Sequence, residues 1–252
     1  MQHDLLISES FGPNAEAYFN SPVHASGEDL ELLRQAVAAT ENPKVLDLGC
    51  GAGHASFAVA PVAQEVVAYD MTQAMLDVVA SHAIAGGVAN IRTHKGSVDE
   101  LPFPDASFDW AISRYSAHHW RNVANAMREV RRVLQPRGRV CFIDVVAGPP
   151  LFDTHLQAFE VLRDPSHVRD YTIKEWRAFL GDVGFDAEVK RQWRLSIDFA
   201  AWVGRVGTSP ERITALRAFW AGAPEEVRNY FQLQDDLSFQ LDAVMVLGRM
   251  KR

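Results

Sequence analysis

The stretch VLDLGCGAGHA, Val45 to Ala55, is followed by an acidic residue at Asp70, and together they decide how this chain is read. Val45, Leu46 and Leu48 make a short apolar β run. Gly49, Gly51 and Gly53 let the backbone turn tightly and approach a ligand, and Ala55 to Ala63 can start a helix. A second strand, Glu65 to Tyr69, then ends at Asp70. A carboxylate at the tip of the second strand of a βαβ unit is placed to accept hydrogen bonds from both hydroxyls of a ribose, and it repels a 2′-phosphate. The order describes a nucleoside-binding site.

The spacing separates two kinds of ligand. A dinucleotide fingerprint, G-x-G-x-x-G, seats a pyrophosphate on a helix N-terminus, but here His54 stands where its third glycine belongs. Asp47, two residues before Gly49, adds negative charge beside the turn. That disfavours a pyrophosphate and favours a cation such as an ammonium or sulfonium. The pattern D-x-G-x-G-x-G, with an acid 17 positions after its last glycine, resembles the first motif and ribose-binding acid of class I S-adenosylmethionine-dependent methyltransferases.

At 252 residues the chain is long enough for one large α/β domain with insertions. With 48% hydrophobic and 23% charged residues it has an ordinary globular composition. A formal charge of −7 and no long basic run argue against a nucleic-acid partner. The N-terminus lacks a basic stretch followed by an apolar one, and no segment approaches the roughly 18 apolar residues of a membrane span. A cytoplasmic protein without a membrane span is therefore expected. Its two cysteines, Cys50 in the glycine turn and Cys141 in an apolar run, exclude a disulfide framework and have no metal spacing. Cys50 reads as a small filler.

After an opening loop, Ser26-Gly27-Glu28-Asp29 starts a helix that Pro43 stops. Further units follow at βα spacing. The strands are Val66 to Tyr69, Asn90 to His94, Phe108 to Ser113 and Arg139 to Val145, the last preceded by a turn at Gln135 to Gly138. The helices are Thr72 to Ile84 and Val123 to Leu134. Five β runs separated by helices predict a parallel, doubly wound sheet, whose ligands bind at the carboxyl ends of the strands. Gly49, Asp70, Ser97 and Arg114 all fall there. Beyond residue 147 the rhythm changes, to a helix over Leu151 to Leu162, a polar segment from Arg163 to Tyr171, and a capping box Thr172-Ile173-Lys174-Glu175. A strand Ala187 to Ile197, a helical insertion Phe199 to Tyr230 and a last strand Ser238 to Met250 complete the chain. Residues 1–147 are thus read as the ligand-binding core, and 148–252 as further strands and helical lid insertions of the same domain.

The resemblance covers most of the chain. VVAYDMTQAMLDVV is similar to the ribose-binding strand and helix of the methyltransferase group related to ubiquinone and menaquinone biosynthesis. GSVDELPFPDASFD resembles its adenine-binding loop, and REVRRVLQPRGRV its approach to the fifth strand. SRYSAHHW, RDPSHVRDY and FGPNAEAYFNSPVHASG resemble a narrower bacterial branch. The family implies a mostly parallel seven-stranded sheet whose sixth and seventh strands form a hairpin, S-adenosylmethionine as methyl donor, and a small-molecule acceptor. One departure stands out: the adenine loop usually carries an acid where this chain has Ser97, leaving adenine to the Ser97 hydroxyl and the Val98 backbone.

Each candidate residue has a plainer role beside the functional one. Asp70 binds the ribose or caps the helix after it. Met71 covers adenine or belongs to the core. Asp47 contacts the donor or holds the loop backbone, and the two roles can coexist. Tyr18 and His24 can close over the donor as a flap. His118 and His119 face the transfer site; adjacent histidines are poorly spaced to chelate one ion, so no metal is expected, and His119, before Trp120, is the preferred general base. Either histidine can equally be a hydrogen-bonded structural residue. Arg114, Arg163, His167 and Arg169 can form an anion-binding surface for the acceptor, or pair internally with Asp164 and Asp170. The arginines at 121, 128, 131 and 132 read as a solvated helix face. The competing readings are a non-catalytic S-adenosylmethionine-binding protein and a nicotinamide-dependent oxidoreductase.

Overall fold

Strand β1, Lys44–Leu48, runs through the middle of the molecule with every residue after Lys44 buried, as a parallel strand covered on both faces requires. In this computed structural model, which describes residues 2–19 and 27–251, β1 pairs in parallel with β2 (Glu65–Asp70) on one side and β4 (Phe108–Arg114) on the other. Strand β3 (Ile91–Lys95) lies outside β2, and β5 (Leu134–Val145) follows β4. Strands β6 (Phe185–Ile197) and β7 (Phe239–Met250) complete a seven-stranded sheet ordered β3-β2-β1-β4-β5-β7-β6, in which β7 is antiparallel to both neighbours. The strand order reverses between β1 and β4. That reversal opens a crevice at their carboxyl ends.

Alternation along the strands builds two cores. Val45, Val66, Ile112, Cys141 and Ile143 face one layer with helices α3 (Glu28–Ala38) and α4 (His54–Val59). Leu46, Leu48, Tyr69, Ala111 and Phe142 face the other, with α6 (Val123–Val133) and α8 (Ile173–Asp182). The inner face of α6 is Val123, Ala126, Met127, Val130 and Val133, at helical spacing. Helix α5 (Gln73–Ala85) follows β2, and its Met75 and Val78 carry the N-terminal helices. These are α1 (Gln2–Phe11) and α2 (Ala15–Phe19), where the sequence suggested a loop. Their apolar residues pack on α5 and the cleft rather than on the sheet.

Two other expectations change in detail. The turn at Gln135 to Gly138 is an irregularity within β5, where the pairing jumps from Phe108↔Leu134 to Trp110↔Arg139. The insertion after β6 is three helices, α9 (Phe199–Arg205), α10 (Pro210–Gly222) and α11 (Glu225–Tyr230). Gly207 with φ +69° ends the first, and Pro224 starts the third. The capping box before α8 forms as read: Thr172 Oγ1 accepts from the Glu175 amide at 3.2 Å, and Glu175 Oε2 accepts from the Thr172 amide at 2.8 Å. No described helix is long and apolar enough to cross a membrane.

Helix α7 (Pro150–Arg163) packs with α9, α10 and α11 around the fully buried Phe159, in a cluster that also takes in Val145, Ile197, Phe239 and Leu241 of the sheet. Because strand residues share this cluster, the C-terminal half should unfold with the rest. Phe159→Ala is expected to cost about 3–5 kcal/mol in chemical denaturation, read as a shift of one cooperative transition. A separate early transition for the C-terminal helices would contradict that coupling.

Candidate functional site

The glycine turn is tied to β2 by its backbone. The Gly49 and Cys50 amides both donate to the Tyr69 carbonyl, at 2.8 and 3.1 Å. Gly49 has φ +64° and leaves no room for a side chain, since a Cβ there would lie 1.8 Å from Ser116 Oγ. Gly51, at φ +50°, is different: apart from its chain neighbours, no described residue has a heavy atom within 4 Å of its missing Cβ. The turn is therefore packed behind Gly49 and open at Gly51, where a ligand can approach the backbone. Gly53 caps α4, and the residue side chains nearest its Cβ direction are Val79 and Phe57. It shapes the turn rather than lining the cleft.

Asp70 takes the plainer role read for it, holding backbone at the head of α5. One carboxylate oxygen accepts from the Gly51 amide at 2.9 Å, and the other from the Thr72 amide at 2.8 Å, at the start of α5. Each oxygen keeps a lone pair for a ribose hydroxyl. Burial raises its proton affinity, and the two amides oppose that rise. Asp47 is fully buried on the cleft floor. Its Oδ2 accepts from the Ser56 hydroxyl at 2.6 Å, while Oδ1 has no hydrogen-bond partner among the described residues. Burial pushes Asp47 up to about 7, against the Ser56 hydroxyl, with the Asp70 charge adding to the rise. A buried carboxylate oxygen without a donor, beside an open backbone turn, suits a cationic ligand. Cys50 is also held protonated by burial, which fits a filler rather than a nucleophile.

The cleft, counted together with the solvent at its mouth, holds about 1080 Å³ of space free of protein atoms. Met71, Ser97 and Val98 line it as read, and so does Asp99, which the sequence reading passed over. The Ser97 hydroxyl accepts from the Asp99 amide at 3.3 Å, whereas Asp99 Oδ1 is buried without a hydrogen-bond partner among the described residues. An acid two residues beyond Ser97 thus stands near the place where the family's acid is missing. Tyr18 and Arg114 also reach the cleft, but the Arg114 guanidinium forms a buried ion pair with Asp29 of α3. That pair matches its charge. His24 lies outside the described residues.

At the far end, Tyr115 leaves β4 with φ +51°, and a single 3-10 turn, Ala117–His119, brings His119 to the cleft wall. Ser166 sets the state of the His119 ring. Its hydroxyl donates to Asp164 Oδ1 at 2.7 Å, so its two oxygens are left to accept from His119 Nδ1, at 3.1 Å for the carbonyl and 3.2 Å for the hydroxyl. Nδ1 carries the proton, and Nε2 keeps its lone pair. Burial, reinforced by the charge of His118, lowers His119 to about 4. Helix α1 walls this end. The His3 ring meets the His119 carbonyl at 3.1 Å, and Phe11 packs edge-on against the imidazole, ring centres 5.0 Å apart.

The expected acceptor-binding surface does not assemble on the cleft. Arg163 is buried against Glu160 and donates to the Trp202 carbonyl, and Arg169 pairs with Asp153 at 2.8 Å and Glu175 at 3.3 Å. His167 donates to Gln157, and burial lowers its basicity. His118 pairs with Asp144 at 2.7 Å and is likewise absent from the cleft wall. Burial alone would lower His118, but Asp144, aided by Asp170 and Glu160, raises it to about 9. Arginines at 121 and 132 depart from the solvated face: Arg121 lines the cleft, and Arg132 donates to the carbonyls of Leu101 and Phe103, holding the loop after β3.

Residues 46–142 match the methyltransferase-domain family. Over 244 residues, 94% of this chain and 96% of the relative, the sequence is 37% identical to the methyltransferase YcgJ of Bacillus subtilis. The chain belongs to the S-adenosylmethionine-dependent methyltransferases. The crystal structure of YcgJ superposes with a TM-score of 0.85 at 35% identity, covering 89% of this chain and 99% of that one. YafE of Escherichia coli is 43% identical over 199 residues, 79% of this chain and 96% of its own. A 2-phytyl-1,4-naphtoquinone methyltransferase of Synechococcus elongatus is 34% identical over 113 residues, 43% of this chain and 48% of that protein.

Asp70→Ala in this methyltransferase should weaken S-adenosylmethionine binding by about 1.5–3 kcal/mol by calorimetry. It should also lower thermal stability, because two backbone amides lose their acceptor. Asp47 gives a pH signature. Its folded value of about 7 lies above the unfolded carboxylate range, so the stability it contributes is present below about pH 4 and is lost as pH rises through 7. Above that the cleft holds a buried anion that a cationic donor relieves. The donor should therefore raise the melting temperature more at about pH 7.5 than at about pH 6, and Asp47→Asn should remove the difference.

Proposed function

We propose that this methyltransferase places the donor between the glycine turn and the loop after β3, and methylates a hydroxyl or amine of a small acceptor lying beneath α1, with His119 taking the proton. The tautomer fixed by Ser166 carries this reading: Nδ1–H is committed to the protein, and Nε2 remains a base on the cleft wall. The donor fits the residues present. Gly51 leaves its space open, Asp70 offers lone pairs to the ribose, the partnerless Asp47 oxygen favours the cationic methionyl end, and Asp99 Oδ1 awaits the adenine amino group. Bound S-adenosylmethionine supplies an activated methyl on a sulfonium. The chain has to hold that methyl in line with the nucleophile, exclude water and accept one proton.

Ile7 and Phe11 of α1 and Trp120 give the acceptor end an apolar wall, as water exclusion demands. An anionic acceptor loses its support, because Arg163 and Arg169 are paired away from the cleft. A screen of small phenols, alcohols and amines, followed by release of S-adenosylhomocysteine, tests the reading. On an acceptor so found, His119→Ala should lower turnover by roughly 10²–10⁴-fold with donor affinity nearly unchanged. Equal loss of donor binding and turnover would assign His119 a structural role instead.

A further inference from the structure

Beside the cleft, and contributing nothing to its wall, three segments bring ionisable side chains together. His118 comes from the 3-10 turn after β4, Asp144 from the end of β5, and Asp170 from the segment between α7 and α8. One ligand atom from each lies within 4.8 Å of the other two. Asp144 and Asp170 are 3% and 2% exposed, while the His118 side chain retains 14%.

Asp170 is the anomaly in this group. Its Oδ2 is buried with no hydrogen-bond partner among the described residues, and its Oδ1 lies 3.9 Å from His118 Nδ1. The other imidazole nearby, His167, has Nε2 3.8 Å from Asp170 Oδ2, but that nitrogen is committed to Gln157 Oε1 at 2.9 Å. Separations just under 4 Å are too long for hydrogen bonds. They match two ligands sharing one ion, because bonds of roughly 2.0–2.2 Å put neighbouring ligand atoms about 3–4 Å apart. A carboxylate removed from water without donors is costly, and a bound cation removes that cost.

We propose that His118 Nδ1 and the carboxylates of Asp144 and Asp170 bind a divalent transition-metal ion of the zinc or manganese class. One imidazole and two carboxylates form a mixed nitrogen and oxygen donor set that suits such ions better than calcium. Binding displaces the proton that His118 Nδ1 shares with Asp144, letting their 2.7 Å contact open to the ligand spacing, and the proton that burial favours on Asp170; both leave to solvent. His119 takes no part, since its Nδ1 is held by Ser166. The ion would pin the Arg163 to Tyr171 segment to the tips of β4 and β5. The Val168 and Arg169 amides, which both donate to the His118 carbonyl, already anchor that segment there. The proposal is independent of the methyl-transfer reading.

The test loads the full chain with Zn²⁺ or Mn²⁺, strips loose metal on a chelating resin and measures the metal retained per chain, alongside melting temperature with and without chelator. One ion per chain and a chelator-sensitive melting temperature are expected. Asp170→Asn should lower metal affinity by at least about tenfold, while His94→Gln, at an exposed histidine of β3, should leave it unchanged. Negligible retention by the parent protein overturns the proposal without recourse to any variant. So does an Asp170→Asn protein that keeps the parent's stoichiometry and affinity. If that variant fails to fold, cobalt loaded into the parent decides: histidine-bound visible absorption supports the site, and a spectrum of hydrated cobalt refutes it.

Discussion

The Asp70 carboxylate grips two backbone amides that belong to different elements, Gly51 in the turn after β1 and Thr72 at the head of α5. Everything the cleft does depends on that grip. It fixes how far the glycine turn stands from the second strand, and so the width of the space left for a nucleoside. It also sets the start of α5, on which Met75 and Val78 receive the N-terminal helices. Asp47 complements it from below as a buried charge with one oxygen unanswered. One acid braces the floor, and the other leaves a buried oxygen facing no donor among the described residues.

A second layer of ionic contacts surrounds His119. Arg163 faces Glu160, Tyr18 and Asp164; Asp164 takes the Ser166 hydroxyl; Ser166 holds the imidazole. Ser10 of α1 reaches the same Asp164 oxygen at 3.3 Å. The members of this network come from α1, α2, α7 and the loop after it, and Asp164 Oδ2 is the one buried oxygen in it without a hydrogen bond among the described residues. The His119 ring is therefore oriented by parts of the chain far from it in sequence. Arg163, which looks available for an acceptor, belongs to the network around that ring, while Arg169 is taken up by Asp153 and Glu175.

The glycine turn, Asp70 and the five parallel strands were legible because strand and helix periods, glycine positions and one acid are all local signals. The capping box at Thr172 and Glu175 was legible for the same reason. Helices α1 and α2 were not, since their apolar residues serve the cleft and α5 and give only a weak helical stripe. Arg163 and Arg169 misled because their partners Glu160, Asp153 and Glu175 are brought to them by helix geometry and by the cap of α8. Asp99 carried a readable signal, an acid two places after Ser97, which only its buried oxygen makes meaningful. Asp144 sits in an apolar run where nothing local announces that Asp170 will arrive opposite it.

Helix α1 has a practical consequence for handling the protein. It rests on the His119 end of the cleft through the His3 contact, the Phe11 ring and the Ser10 hydroxyl, so its first turn sits at the mouth of the cleft. The other terminus is placed well away. In β7, Arg249 pairs with Arg139, at the amino end of the parallel strands and across the full depth of the sheet from the crevice. A purification handle or fluorophore belongs after β7, where it trails from the back of the molecule; fused ahead of α1, it would jam the entrance it was meant to report on.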